Sequence, residues 1–227
     1  MLNFHGLTST AAQQTAFSLM SPKADAAKFL VAYPNGVSNS WNAGACCGTA
    51  VTENVDDVGF VRALIDDIAA RVCLDTKRVY STGMSNGGYL SNRLACDAAD
   101  VIAAVAPVSS VIGVPMDTCI PARPIPVISF NGTADTLVDY ASGAPQTFAH
   151  WANRDGCKGD PKVSFQKGTA TCKTYDDCDA GTSVTLCTLE GMGHCWPGQS
   201  FCPFGAGTTD LSANDAMWDL FSKTTLP

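Results

Sequence analysis

The chain reads as an α/β protein, a mostly parallel sheet with helices on both faces. Three observations carry that reading. Short apolar, β-branched runs alternate with longer segments of helical periodicity, the order that builds parallel strands joined by crossover helices. The polar residues that look chemically active stand just after those runs, where ligands bind in a parallel sheet. Finally, the run Arg78 to Thr82 feeds into Gly83-Met84-Ser85-Asn86-Gly87, a Gly-x-Ser-x-Gly turn followed by a helix-compatible segment, Tyr89 to Ala95.

In chain order, Met1 to Phe4 reads as a short strand ending at His5-Gly6. Ala11 to Leu30 has helical character, broken at Ser21-Pro22, and Phe29 to Tyr33 reads as a second buried strand stopped by Pro34-Asn35-Gly36. Val37 to Thr52 is a loop of Gly, Asn, Ser and Cys that holds Trp41 and the adjacent pair Cys46-Cys47. Asn54 to Val72 is the clearest helix: Val55, Val58, Val61, Ile65, Ile68 and Val72 recur at three- and four-residue steps. Asn54 is placed to cap it, with Asp56 and Asp57 in its positive first turn. Val101 to Val105 and Ile125 to Phe130 are further strands, and Phe148 to Asn153 is helical. Cys157 to Gly181 is polar and irregular; Val184 to Leu189 is the last strand. Ser212 to Lys223 closes as a helix capped by Ser212. With no repeat, low-complexity tract or linker, residues 1–227 are expected to form a single domain.

Composition narrows the function. The chain is 46% hydrophobic and 15% charged, which suits a packed core. Its net charge of −7, with no Lys/Arg cluster, argues against nucleic acid as a partner. No apolar run is long enough to span a bilayer; the longest, Val101 to Val114, is interrupted by Pro107, Ser109 and Ser110. Eleven cysteines without Cys-x2-Cys pairs, and only three histidines, predict disulfides in an oxidising, extracellular setting and no metal site. No signal peptide precedes the first strand, so the expectation of secretion rests on the cysteines. An odd count leaves one thiol over. A monomer is expected.

A serine hydroxyl becomes nucleophilic when a base takes its proton, and that base needs a carboxylate to hold its tautomer. Ser85 stands in the sharp turn, where Gly83 and Gly87 let strand and helix approach. Of the histidines, His150 lies in a helical stretch beside Trp151 and His5 precedes the serine. His194, in Gly191-Met192-Gly193-His194 after the last strand, is therefore the candidate base. Asp135 follows Asn131-Gly132-Thr133-Ala134 and is preferred as the carboxylate over Asp139, four residues on. The order Ser85, Asp135, His194 is that of the α/β-hydrolases. Two amides must hold the developing oxyanion: that of Asn86, and one from the loop after His5-Gly6, at Leu7 or Thr8.

Several blocks together extend the likeness. Asn3-Phe4-His5-Gly6, Trp41-Asn42-Ala43-Gly44, Val55-Asp56-Asp57-Val58, Arg78-Val79-Tyr80, Gly83 to Gly88, Asn131 to Asp135 and Gly193-His194-Cys195-Trp196-Pro197-Gly198 resemble the secreted feruloyl esterase and polyhydroxybutyrate depolymerase-like esterases, carbohydrate esterase family one in the broad sense. The resemblance implies an α/β-hydrolase fold, no cofactor, and ester hydrolysis through an acyl-enzyme on Ser85, Asp135 and His194. It also implies that Trp196 lines the acyl pocket with help from Trp41, beside His5, where flat aromatic walls would suit a feruloyl or cinnamoyl group. It further implies bridges Cys96–Cys119 and Cys157–Cys178. To these are added Cys195–Cys202 and Cys172–Cys187 as expectations, with Cys73 reaching Cys46 or Cys47. The family's strands before His-Gly are missing, which predicts a shortened sheet or a truncated chain with a bare edge.

The function expected is thus a serine carboxylesterase acting on feruloyl or cinnamoyl esters of plant cell-wall polysaccharide. Acetyl-xylan esterase, polyhydroxyalkanoate depolymerase and serine peptidase are the alternatives within catalysis. A non-catalytic, carbohydrate-binding α/β-hydrolase is the alternative outside it.

Overall fold

A computed structural model describes residues 1–227. Its elements in chain order are β1 (Leu2–Phe4), α1 (Ala11–Ser18), α2 (Met20–Ala27), α3 (Thr49–Thr52), α4 (Asp57–Arg71), β2 (Tyr80–Met84) and α5 (Asn86–Asp97). There follow β3 (Ala104–Val108), β4 (Val127–Gly132), α6 (Tyr140–Arg154), β5 (Lys162–Lys167), β6 (Ala170–Tyr175), β7 (Val184–Leu189) and α7 (Ala213–Phe221). One sheet runs β1-β2-β3-β4-β7-β6-β5, parallel from β1 through β7 and antiparallel across β6 and β5.

Strand periodicity divides the core. Ala104, Ala106 and Val108 of β3 face one side with Tyr80, Phe130 and Leu189, where α2 and α7 supply Met20, Met217 and Phe221. Tyr80 and Phe221 stack there with centroids 4.6 Å apart. Val105 faces the other side with Phe4, Val127 and Val184, against Val61 and Ile65 of α4, Leu90 and Leu94 of α5, and Trp151 of α6. Both faces of the parallel strands are thereby covered, as the near-continuous apolar runs of β3 and β4 require.

Several elements differ from the sequence-based expectation. The apolar run at Phe29 to Tyr33 is not a buried strand: only Ala32 bridges to β1, and Leu30 is exposed. That bridge, with Asn3 donating to Ala32 O and Ala32 donating to Met1 O, means the β1 edge is not bare. The break in the first helical segment falls at Leu19, whose left-handed φ of 48° caps α1 and starts α2. Pro22 sits in the first turn of α2, where its missing N–H costs nothing. Helix α4 begins later than Asn54 implied, because Asp56 is the cap and accepts from Gly59 N. Helix α6 is longer than expected and contains Pro145. The Ala141 carbonyl that Pro145 leaves free accepts instead from the Gln146 side chain, at 3.2 Å. The stretch taken as irregular holds the β5–β6 hairpin; every residue of β5 is exposed, so no apolar face marks it.

Five disulfides form: Cys96–Cys119, Cys157–Cys178, Cys172–Cys187, Cys195–Cys202 and Cys46–Cys47. Cys172 and Cys187 are direct cross-strand partners of β6 and β7, which places them within bonding range. Cys73 corrects the expectation: it is free and exposed, because Cys46 and Cys47 bond to each other.

Candidate active site

Strand β2 delivers Ser85 into a backbone conformation of φ 54°, ψ −124°, strained for a residue with a side chain. The strain is held from both sides: Ser85 N donates to Val108 O of β3, and its carbonyl accepts from Tyr89 N, both at 2.9 Å. The crossing is too tight for anything but glycine at two points. A Cβ on Gly83 would lie 2.6 Å from the Gly87 backbone, and one on Gly87 would collide with the Phe4 carbonyl. Helix α5 starts immediately at Asn86, so its unpaired N-terminal amides and positive dipole end lie beside the serine.

Asn86 is fixed by its own side chain, whose Oδ1 accepts from Trp41 N at 2.7 Å while Nδ2 donates to Trp41 O at 2.9 Å. The indole of Trp41 in turn donates to His5 O at 3.0 Å. His5 is fully buried, and its Nε2 accepts from Gly36 N at 3.0 Å. The proton therefore sits on Nδ1, which donates to Gly6 O at 2.8 Å. Burial lowers the His5 pKa, partly opposed by the Gly6 bond, and keeps the ring neutral. Gly6 O also accepts from Ser9 N at 3.1 Å, so this peptide is held at its carbonyl and its Leu7 N–H faces the opposite way. Thr8 N is engaged by Asn39 O at 2.8 Å, which leaves Leu7 as the loop's candidate oxyanion donor.

On the other side, His194 Nδ1 lies 2.7 Å from Asp135 Oδ2, with both side chains buried. A carboxylate only accepts, so Nδ1 carries the proton and Nε2 remains the basic nitrogen. Asp135 Oδ1 accepts from Leu137 N at 2.8 Å and Val138 N at 2.9 Å. Burial pushes the Asp135 pKa up, but the His194 bond and these two amides outweigh it and hold the carboxyl below its ordinary value. The rival Asp139 is exposed and caps α6 by accepting from Ser142 N.

The His194 loop is pinned at several points. His194 N donates to Phe204 O, Gly193 N donates to Ala206 O, Cys195 is bridged to Cys202, and Ser109 Oγ donates to Cys195 O. Ser85 and His194 share the lining of one cavity of about 520 Å³, together with Gly6 and Leu7.

The expected aromatic walls lie elsewhere. Trp196 is 3% exposed, packs in the core beside α7 and donates its indole N–H to Asn214. Trp41 is wholly buried against Phe4 and His5, and His5 is buried with it. Each is held beneath the site because its ring nitrogen has an internal partner. The cavity is lined instead by Phe17, Tyr89, Leu137, Val138 and Phe204, with Thr8, Ser9 and Gln13 at its polar side and the Cys46–Cys47 disulfide in its wall. Tyr89 is absent from the expected set, although its place one helical turn after Ser85 was a signal that could have found it; Phe17 and Phe204 carry no local signal.

The chain spans 39% of feruloyl esterase B of Piromyces equi, to which it is 35% identical over 86% of its own length. It spans 54% of poly(3-hydroxyalkanoate) depolymerase C of Paucimonas lemoignei, at 28% identity over 85% of this chain. Among solved structures, the acetyl xylan esterase of Aspergillus awamori superposes with a TM-score of 0.72 over 97% of this chain and 87% of that one, at 14% identity. The architecture is that of an α/β-hydrolase. A model of the family described as Esterase PHB depolymerase matches residues 1–141, which contain the candidate oxyanion donor Leu7, the Ser85 turn and Asp135, and the chain belongs to that family.

Proposed function

We propose that this chain is a serine carboxylesterase that hydrolyses feruloyl or cinnamoyl esters of plant cell-wall polysaccharide. The observation that carries the reading is the buried Asp135–His194 pair facing one cavity with a strained, elbow-borne Ser85. Ser85 Oγ attacks the ester carbonyl carbon while His194 Nε2 takes its proton. The carbonyl oxygen becomes an oxyanion held by the amides of Leu7 and Asn86. As the tetrahedral adduct collapses, the imidazolium gives its proton to the departing alcohol and an acyl-Ser85 ester remains. A water then attacks that ester with His194 again as base, releasing the acid and restoring the serine.

Substrate class follows from the cavity. A volume of about 520 Å³ walled by Tyr89, Phe17 and Phe204 accommodates an aromatic acyl group, far larger than acetyl. The polar Thr8, Ser9 and Gln13 side suits the hydroxyl-rich alcohol. The feruloyl esterase of Piromyces equi among the relatives supports the same assignment. Five disulfides favour an extracellular setting, and no helix is long and apolar enough to cross a membrane. One catalytic domain over residues 1–227, working as a monomer, completes the proposal.

The test is kcat/KM for methyl ferulate, acetylated xylan and a hydroxybutyrate oligomer, in wild type and Ser85→Ala. Methyl ferulate is expected to be preferred, and Ser85→Ala to lose at least about 10⁴-fold on every ester. A preference for the oligomer or for acetylated xylan would replace the acyl assignment. Turnover surviving Ser85→Ala would overturn the mechanism, and no turnover of any ester by the wild type would favour a non-catalytic protein.

A further inference from the structure

Two consecutive cysteines bonded to each other are an unusual way to line a cleft, and nothing in the catalytic steps above uses them. Cys46 and Cys47 both border the cavity that holds Ser85 and His194. They are half-buried, open on the cleft side and backed by a loop that is tied down along its length. Ala43 N donates to Cys46 O at 2.8 Å, Cys47 N to Trp41 O at 3.4 Å, and Ala45 N to Gly113 O at 2.7 Å. The Asn86 side chain clamps the Trp41 backbone, and its Nδ2 lies 3.6 Å from Cys46 Sγ. The two sulfurs are thus positioned by the residue next to the nucleophile, so they hold a fixed place relative to the reacting carbonyl.

We propose that the Cys46–Cys47 disulfide is a specificity-determining wall of the cleft, contacting the aromatic ring of the acyl group. This rests on the esterase reading above. A disulfide presents two polarizable sulfurs with no ionisable proton, so it offers soft apolar contact where free thiols would offer a titrating and nucleophilic pair. With Leu7, Tyr89 and Val138 it makes up part of the apolar lining of the cavity. Sulfur–aromatic contacts of the usual strength correspond to roughly two- to tenfold in binding. An acetyl group has no ring to make that contact.

The experiment compares wild type with the double variant Cys46→Ala/Cys47→Ala, using methyl cinnamate and p-nitrophenyl acetate. The cinnamate-to-acetate ratio of kcat/KM is expected to fall roughly two- to tenfold, mostly through KM for the cinnamate. A folded variant with the wild-type ratio would overturn the proposal. If that variant does not fold, a second arm on the wild type decides. The protein is treated briefly with a dithiol reductant, with and without saturating ferulic acid, and newly freed thiols are alkylated and mapped. Ferulic acid is expected to slow labelling of Cys46 and Cys47 at least threefold while leaving Cys157 and Cys178, outside the cleft, unchanged. Equal labelling with and without ferulic acid would overturn the proposal. No ester turnover by the wild type, or turnover retained in Ser85→Ala, would instead sink the serine-esterase reading beneath it, so the two failures are distinguishable.

Discussion

Asp135 shows how one carboxylate performs two tasks with its two oxygens. Oδ1 is held by the amides of Leu137 and Val138, and this leaves Oδ2 to meet His194 Nδ1. An asparagine in its place would keep its carbonyl oxygen toward the two amide donors, because they can only donate. Its NH₂ group would then face Nδ1 and force the ring into the tautomer with the proton on Nε2, which cannot accept from Ser85. Asp135→Asn is therefore expected to lower kcat by about 10⁴-fold while KM and thermal stability change little. A variant within tenfold of wild-type kcat would remove Asp135 from the proposed mechanism. These polar groups were legible in the sequence because each must follow a strand end, and only three histidines exist. The walls were not. Trp196 stands two residues after His194 in sequence, yet its ring packs into the core beside α7 and donates to Asn214. Adjacency along a loop does not fix facing.

Elements were legible where burial imposes a pattern and obscure where it does not. Strand β7, Val184–Leu189, stands where its apolar run lies because it is buried between β4 and β6. Phe29 to Tyr33 has similar composition but lies outside β1, where it makes a single bridge. The β5–β6 hairpin was missed because β5 is exposed throughout and its pairing rests on backbone bonds that composition does not report. Helix α6 illustrates how end chemistry separates two candidate acids. Asp139 accepts from Ser142 N at 2.8 Å and so caps the helix, and its pKa lies below the ordinary value for that reason. Asp139→Ala is expected to lower Tm by roughly 2–4 °C, with kcat retained. Circular dichroism melting beside ester turnover checks both halves; a large kcat loss at unchanged Tm would make Asp139, and not Asp135, the partner of His194.

At the scale of the whole molecule, a second buried carboxyl contributes to the response to pH. Asp155 ends α6, is fully buried, accepts from Ile125 N at 3.1 Å through Oδ1, and leaves Oδ2 without a partner. Its carbonyl accepts from Asp179 N beside the Cys157–Cys178 bridge, so it joins α6, the entry to β4 and the exit of the hairpin. Burial raises its pKa to about 7, only partly offset by the Ile125 amide and the charge of Arg123. The folded state then binds a proton that the unfolded chain releases near pH 4. Stability contributed by the protonated group is present at acid pH and lost as pH rises from about 4 to about 7, with an upper bound of roughly 4 kcal/mol. Asp135 acts with the opposite sign and in a separate window. Its depressed pKa adds stability above about pH 4, which is lost only as pH falls through the folded value below that. Asp155→Asn keeps the acceptor for Ile125 N and supplies a permanent donor in place of the titrating one. In melting temperatures measured from pH 4.5 to 8, the value for the variant minus that for wild type is expected to rise with pH, so that the variant becomes the more stable protein at pH 8. Parallel curves for the two proteins would show that Asp155 is ionised in the folded state at neutral pH and that the carboxyl finds a partner on opening to solvent.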